Sequence, residues 1–184
     1  MIKLLATAAM LAAVHSSAFA LNIETQCDGA LAHGDYRATS DDGVVRITGK
    51  YHQGNRTGLF TIYDAAGSKM IELPYKQGQF AGTIRAWYPP VAAEDSVPVP
   101  KLVSEVRDGF LEGQYSTWYP DGTKRSTAQI SGGEITSFEA WDESGNALDI
   151  KDQHKFLETD IKSDFNYYEQ LEHVLDTYLP KCSE

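Results

Sequence analysis

The residue types most often used in catalysis and metal binding are present, but they are not spaced for either task. Four histidines follow residue 20, and no two of them stand three or four residues apart, as paired metal ligands on a helix do. They are His33, His52, His154 and His173. The sequence also lacks a Gly-x-Ser-x-Gly turn and a glycine-rich phosphate loop. We therefore predict a protein that is not an enzyme and that holds no metal or cofactor.

Two pairs of neighbouring acidic residues are the remaining candidates for acid–base chemistry. Asp41-Asp42 and Asp142-Glu143 each lie close to a turn glycine. An aspartate at such a position commonly accepts hydrogen bonds from its own backbone and thereby defines a turn. A general acid and base would instead need two carboxyl groups held against a substrate. The position beside glycine favours the turn.

Two cysteines, Cys27 and Cys182, stand near the two ends of the chain. In an oxidising compartment a single pair of this kind most simply forms one disulfide that joins the termini. Two free thiols and an intermolecular bridge are the alternatives. Neither cysteine has a histidine close by in sequence, so a catalytic thiolate is not expected.

Four large aromatic residues at regular intervals are the candidate binding residues. They are Tyr63, Trp87, Trp118 and Trp141, separated by 24, 31 and 23 residues. On an open sheet face such rings would stack against sugars or contact another protein. The same regularity is expected if the rings only pack one repeat against the next. Both interpretations remain open at this stage.

The interval reflects an internal repeat of about 24 residues, which sets the architecture. Residues 54–69 and 109–124 align without a gap as the second and fourth copies. The third copy follows the pattern until Pro89-Pro90, and the fifth has Thr136 where its second glycine is expected. A weak first copy runs from Gly34 to Gly43. Repeat architectures more often present surfaces than perform chemistry.

Each copy predicts a β-hairpin. After the turn glycine, mostly apolar residues stand at alternate positions, as at Ile71, Leu73 and Tyr75, which is the period of a half-buried strand. Nine glycines define the predicted turns and connections: Gly54, Gly58, Gly67, Gly78, Gly82, Gly109, Gly113, Gly122 and Gly145. The four aromatics fall on the opposite sheet face from Phe60 and its equivalents unless a bulge intervenes. Chained hairpins predict a mainly β fold, an antiparallel meander of about ten short strands.

The chain from Asp149 onward predicts an amphipathic helix that covers one face of this sheet. Its apolar residues recur at steps of three and four: Leu157, Ile161, Phe165, Tyr168, Leu171, Leu175 and Tyr178. An N-cap at Ser163 or Asp164 would divide it, so one helix and two both remain open. A free partner-binding helix is the alternative to a packed one. Cys182 would reach back to Cys27 and clamp the helix to the sheet.

The third copy of the repeat is interrupted by an insertion that the other copies lack. It runs over residues 89–100 and carries four prolines, which stiffen it without permitting a helix. Pro89, Pro90, Glu94 and Asp95 are its candidate partner-binding residues, since loops that interrupt a regular scaffold often carry function. A tolerated surface insertion is the alternative.

The first twenty residues have the pattern of a secretory signal peptide. Lys3 precedes an apolar stretch, and Ala18-Phe19-Ala20 forms a small-residue cleavage site. Removing them leaves 15 basic and 26 acidic side chains, a net charge of −11. This charge argues against nucleic acid and anionic membranes as partners and favours a basic one. No other apolar run is long enough to span a bilayer.

The motif Gly-x-x-x-Gly-x-aromatic-x-x-Tyr/Trp-x-x-x-Gly, at 54–67 and 109–122, resembles the MORN-variant repeat of bacterial proteins often labelled YwqK-type antitoxins. The resemblance covers roughly residues 30–148. It implies a sheet of hairpin repeats that binds other proteins or neutralises a toxin. Export and terminal cysteines fit a partner in the periplasm better than a cytoplasmic toxin.

We therefore expect three segments: a signal peptide (1–20), a MORN-like β-hairpin repeat domain (21–148) and a helical segment packed on the repeat sheet (149–184). The expected function is protein–protein interaction in the bacterial periplasm, as an immunity protein, inhibitor or scaffold. The alternative is binding of a glycan such as peptidoglycan through the aromatic residues.

Overall fold

The structure is a computed structural model that describes residues 20–90 and 97–183. Nearly all of the predicted signal peptide lies outside the described residues, as do Glu94 and Asp95 of the insertion. The described chain forms one antiparallel sheet and one long helix.

Eleven strands make up the sheet, which confirms the predicted meander. They are β1 (Leu21–Asp28), β2 (Leu31–Ser40), β3 (Val45–His52), β4 (Asn55–Tyr63), β5 (Lys69–Lys76), β6 (Gln79–Phe80), β7 (Gly82–Trp87), β8 (Pro100–Arg107), β9 (Phe110–Trp118), β10 (Lys124–Ser131) and β11 (Glu134–Ala140). Each strand pairs with its neighbours in chain order, except that β5 pairs with both β7 and the short β6. The outer strands are β1 and β11.

Tight turns at one end of the sheet contain the first glycine of each predicted pair. Gln53-Gly54, Gln77-Gly78 and Asp108-Gly109 have positive φ at both positions, which is the two-residue turn that matches strand twist. The nine predicted glycines all adopt positive φ. The hairpin predictions are thus confirmed at the level of the backbone.

The second glycine of each pair lies where strand pairing is interrupted: Gly58 and Gly113 lie at bulges in β4 and β9, and Gly82 begins β7 after the break from β6. Beside Gly113, Ser104 pairs with Tyr115 and Val106 with Leu111, so β9 carries two residues more than β8 over this stretch. The fifth copy has Thr136 instead, and its register shifts by a single residue. The glycine therefore permits a larger local distortion than a β-branched residue does.

The core lies on one face of the sheet. Phe60, Ile71 and Leu73 are among its fully buried residues, and all come from the predicted alternating positions. The Phe60 ring lies over Gly49 on β3, where an added Cβ would come within 2.4 Å of the ring. Gly49 therefore makes room for an aromatic side chain from the adjacent strand.

The helix α1 (Ile150–Thr177) is continuous, which settles the question of one helix or two. Asp149 caps it by accepting hydrogen bonds from the backbone N–H groups of Lys151 and Asp152. Leu171 and Leu175 are buried against the sheet, as predicted. In the N-terminal half Asp160 and Asp164 are buried, each one position before the predicted Ile161 and Phe165.

The helix crosses the strands from one edge of the sheet to the other. Along its length it contacts β10 through Asp160, β9 through Asp164, β4 through Asp176 and, just past its end, β2 through Tyr178. Its length of about 42 Å matches the width of about 43 Å expected for ten paired strands. One helix is therefore long enough to span this face from one edge of the sheet to the other.

A disulfide between Cys27 and Cys182 fixes the far end of this helix to β1, as predicted. The two cysteines are 155 residues apart in sequence, and their Cα atoms are 5.7 Å apart. The described residues contain no helix long and apolar enough to cross a membrane.

Candidate functional site

The sheet face opposite α1, here called the open face, carries the four predicted aromatic residues. Tyr63, Trp87, Trp118 and Trp141 each follow a residue with less than a tenth of its surface exposed on the helix side: Ile62, Ala86, Thr117 and Ala140. Because successive residues of a strand point to opposite faces, the four rings lie away from the helix. No element within residues 20–90 and 97–183 covers this face.

The rings form a row across the sheet, here called the aromatic row. They occupy every second strand position, which corresponds to a separation of about 10 Å. The strands between them contribute Lys69, Pro100 and Lys124, which pair with Tyr63, Trp87 and Trp118 respectively. The Lys124 ammonium lies 4.4 Å from the centre of the Trp118 ring, and burial lowers the pKa of Lys124. The row therefore alternates aromatic rings with two cations and a proline.

The backbone that carries the row is held by tyrosines that follow two of the tryptophans. The Tyr88 hydroxyl donates to the carbonyl of Trp118 over 2.8 Å, and Tyr119 donates to that of Trp141 over 2.9 Å. All four members of the row are half-buried. Each ring thus packs on its surroundings and still presents part of its surface to solvent.

A second row of mostly polar residues runs beside the aromatic row on the open face. It continues in register across all ten paired strands: Glu24, Arg37, Thr48, Thr61, Glu72, Arg85, Val103, Ser116, Thr127 and Glu139. Glu72 is 8% exposed, and its carboxylate lies 2.7 Å from the Lys69 ammonium. The open face is therefore an ordered polar sheet with a row of aromatics along one side.

The proline-containing insertion joins β7 to β8 next to Trp87. Pro89 and Pro90 are exposed, and Val97 on the return side is 83% exposed. The Tyr88 N–H donates to the Val99 carbonyl over 3.0 Å, so the strand pairing continues to the base of the insertion. The structure thus places the two prolines beside the aromatic row.

The other chemistry-bearing residues take structural roles. Asp42 Oδ1 accepts from the Ser40 hydroxyl and the Val44 N–H, and Asp142 Oδ1 accepts from backbone N–H groups in its own turn. The rings of His33 and His52 lie 5.1 Å apart. Within the part of the chain that the structure describes, no cluster of three or more histidines, cysteines or acidic residues could hold a metal.

Sequence reasoning missed a buried polar cluster between α1 and strands β8–β10. The Asp160 carboxylate contacts the Arg125 guanidinium, and Asp164 accepts a hydrogen bond from the Tyr115 hydroxyl. Arg125 reaches the helix because it is the extra residue of a bulge between the pairs Lys124–Trp118 and Ser126–Thr117. The useful signal in the sequence was the spacing of the two aspartates, one helical turn apart.

Burial dominates the charge state of both aspartates. Asp160 is 1% exposed, and desolvation raises its pKa although Arg125 opposes the rise. Desolvation also raises the pKa of Asp164 to about 6, against the opposing hydrogen bond from Tyr115. Lys101 lies nearby, with its ammonium 4.3 Å from the ring centre of Tyr167.

These groups predict that the protein is more stable in mild acid than at neutral pH. A folded-state pKa above the unfolded value means that the folded state binds more protons between the two, so stability falls as pH rises from about 4 through about 6. Asp164→Asn keeps an acceptor for Tyr115 and removes the charge, so it should raise the melting temperature near neutral pH and flatten this dependence. The exposed Asp35→Asn carries the same charge change and should leave the slope intact. Thermal melts across this pH range measure the change of melting temperature with pH. The same change in Asp164→Asn as in the wild type would contradict the prediction.

Neither a protein-family model nor a curated protein sequence matches this chain. The resemblance to MORN-variant repeats therefore stays a prediction.

Proposed function

We propose that this protein is an exported, non-enzymatic protein-binding module that acts in the bacterial periplasm, in the manner of an immunity protein, inhibitor or scaffold. The observation that carries the proposal is the asymmetry of the sheet. One face is covered by α1, while the other presents Tyr63, Trp87, Trp118 and Trp141 in a row. Aromatic residues that keep part of their surface in solvent are typical anchors of protein interfaces.

The charge of the chain supports a basic partner. The net charge after removal of residues 1–20 is −11, and complementary charge accelerates encounter and makes binding sensitive to salt. The N-terminal signal pattern and the disulfide favour an oxidising compartment outside the cytoplasm. The exposed prolines beside Trp87 would extend the contact area without a large entropy loss.

A glycan is the second candidate ligand, and the geometry of the aromatic row favours it. Rings on every second strand lie about 10 Å apart, close to the advance of two sugar rings in an extended β-1,4-linked chain. Lys69 and Lys124 lie between the rings and would meet carboxylates on a glycan such as peptidoglycan, where Lys69 would exchange or share its present partner Glu72. Cations between rings at two of the three intervening positions are a feature that a protein ligand does not require.

Affinity capture of the tagged mature protein from periplasm, followed by mass spectrometry, tests the protein-binding proposal. We expect a stoichiometric partner whose affinity falls by at least about tenfold in Trp118→Ala, because the variant removes an anchor at the centre of the row. Phe110 is 75% exposed and lies outside the row, so Phe110→Ala is the matched control and should bind normally. Binding should weaken as salt is raised.

Fold must be checked in each variant by circular dichroism and thermal melting, since an unfolded Trp118→Ala would show instead that the ring is part of the packing. Equal loss of binding in both variants would contradict the assignment of the open face. The three tryptophans of the chain all lie in the aromatic row, so their emission reports on this face alone. Quenching or a shift on addition of peptidoglycan fragments, with no protein captured, would favour the glycan.

A further inference from the structure

The strand β11 lies at the edge of the sheet, where a further strand could pair with it. Within the described residues, β11 pairs with β10 on one side. On its outer side the Ala140 carbonyl accepts from the Leu148 N–H, so the outward backbone groups without a neighbouring strand are those before Ala140. Outer strands of this kind are templates for pairing with another extended segment. The residues of β11 up to Ser137 are all exposed.

A groove accompanies this edge and would receive the side chains of an added strand. It has a volume of about 270 Å³ and lies between β11 and the first two turns of α1. Its apolar lining comes from Ile135 and Phe138 on the strand and Leu157 on the helix. Ile135 is 40% exposed, which is unusual for an isoleucine beside a core. The start of α1 thus forms one wall of a groove in which apolar side chains of an added strand would be buried.

The charges at the edge discriminate between possible occupants. Glu134 and Glu139 stand near the two ends of β11, are exposed, and lie on the open face because their partners Ser131 and Thr127 do. Antiparallel pairing of β11 with a second copy, with Ser137 opposite Ser137 and the bulged Thr136 unpaired, would set Glu134 of each copy against Glu139 of the other. Like charges directly opposed are unfavourable in a sheet. The same two glutamates would attract a strand with basic residues on that face.

We propose that β11 and this groove bind an extended, basic polypeptide segment of a partner protein by addition of a strand. Apolar side chains of the segment enter the groove beside Ile135, Phe138 and Leu157, and alternate basic side chains lie beside Glu134 and Glu139. The groove lies on the helix side of the sheet, away from the aromatic row, whereas Glu139 lies two residues before Trp141 on the open face. The protein would then have two binding surfaces: the β11 edge for an extended peptide segment, and the open face for a folded partner.

The test uses the disulfide-bonded mature protein and a labelled peptide of alternating valine and lysine, with fluorescence anisotropy as the binding readout. The control peptide has proline in place of its central valine, which removes a backbone N–H and prevents strand pairing. We expect the first peptide to bind at least about tenfold more tightly than the second. Amide hydrogen exchange should slow in β11 and remain unchanged in β1.

Matched variants separate the site from general attraction to an acidic protein. Glu134→Lys with Glu139→Lys should weaken binding at least about tenfold, whereas Glu24→Lys with Asp35→Lys makes the same charge change near β1 and should leave the β11 site intact. Leu157→Asp, which is confined to the groove, should also weaken binding. Equal effects of both charge variants, unchanged exchange in β11, or no binding at millimolar peptide would overturn the proposal. So would sedimentation showing that β11 pairs with a second copy instead. Failure here would leave the test of the aromatic row unaffected.

Discussion

Replacing both Cys27 and Cys182 with serine is expected to lower the free energy of unfolding by about 4 kcal/mol. The disulfide closes a loop that spans 155 residues, so its loss restores a large conformational freedom to the unfolded chain. It also releases the segment after α1 from β1, which leaves the hydrogen bond from the Tyr36 hydroxyl on β2 to the Tyr178 carbonyl as a contact at this end of the helix. Urea unfolding of the variant and of the oxidised wild type, followed by far-UV circular dichroism, measures the difference.

The reduced wild type is the control for this prediction, because it removes the bond without changing the residues. Reduced wild type and double-serine protein should unfold at the same urea concentration. A loss below about 1 kcal/mol would show that α1 remains in place without the bond, since native disulfides in secreted domains typically contribute 2–5 kcal/mol. It would contradict the account of the helix as a cover held at its far end.

Arg125→Met is expected to destabilise the fold by about 3–5 kcal/mol, the range measured when one partner of a buried ion pair is removed. Methionine keeps much of the side-chain volume that packs near Phe156 but leaves the Asp160 carboxylate buried without its guanidinium. Asp160 is 1% exposed, and its remaining partners are the hydroxyls of Thr117 and Ser126. Chemical denaturation near neutral pH is the measurement.

A double variant, Arg125→Met with Asp160→Leu, is the control for this prediction, because it replaces both members of the ion pair with apolar residues. It should recover most of the lost stability, because the cost of the single variant is an uncompensated charge rather than a missing attraction. If the double variant is as unstable as the single one, packing of the Arg125 side chain accounts for the effect. That result would contradict the assignment of the cost to an uncompensated buried charge on Asp160.

The sequence was sufficient to predict the repeated hairpins because their signals are local. Glycines that require positive φ and alternating apolar residues are properties of short segments, and the turn at Gly54 and the buried positions Ile71, Leu73 and Tyr75 follow from them. The position of Trp118 on the face opposite Tyr115 also follows from alternation. The disulfide could be predicted because only two cysteines are present.

The buried cluster could not be predicted from the same signals. Periodicity selects the apolar positions of the helix and gives no reason to expect that Asp160 and Asp164 are buried against the sheet. Their burial depends on Arg125, which points to the helix because a bulge changes its direction. A bulge is a property of two paired strands, so its effect on one side chain is not visible in either strand alone. The groove beside β11 likewise depends on where the helix crosses the edge.

Site-specific photo-crosslinking in cells tests the proposed binding face most directly. A photoreactive phenylalanine analogue replaces Arg85 or Gln114, which are exposed on the open face, or Lys162 or Asn166, which are exposed on α1. We predict a discrete adduct with one protein from the open-face positions and none from the helix positions. Adducts from the helix positions alone, or the same products from all four, would contradict the assignment of the open face as the site of partner binding.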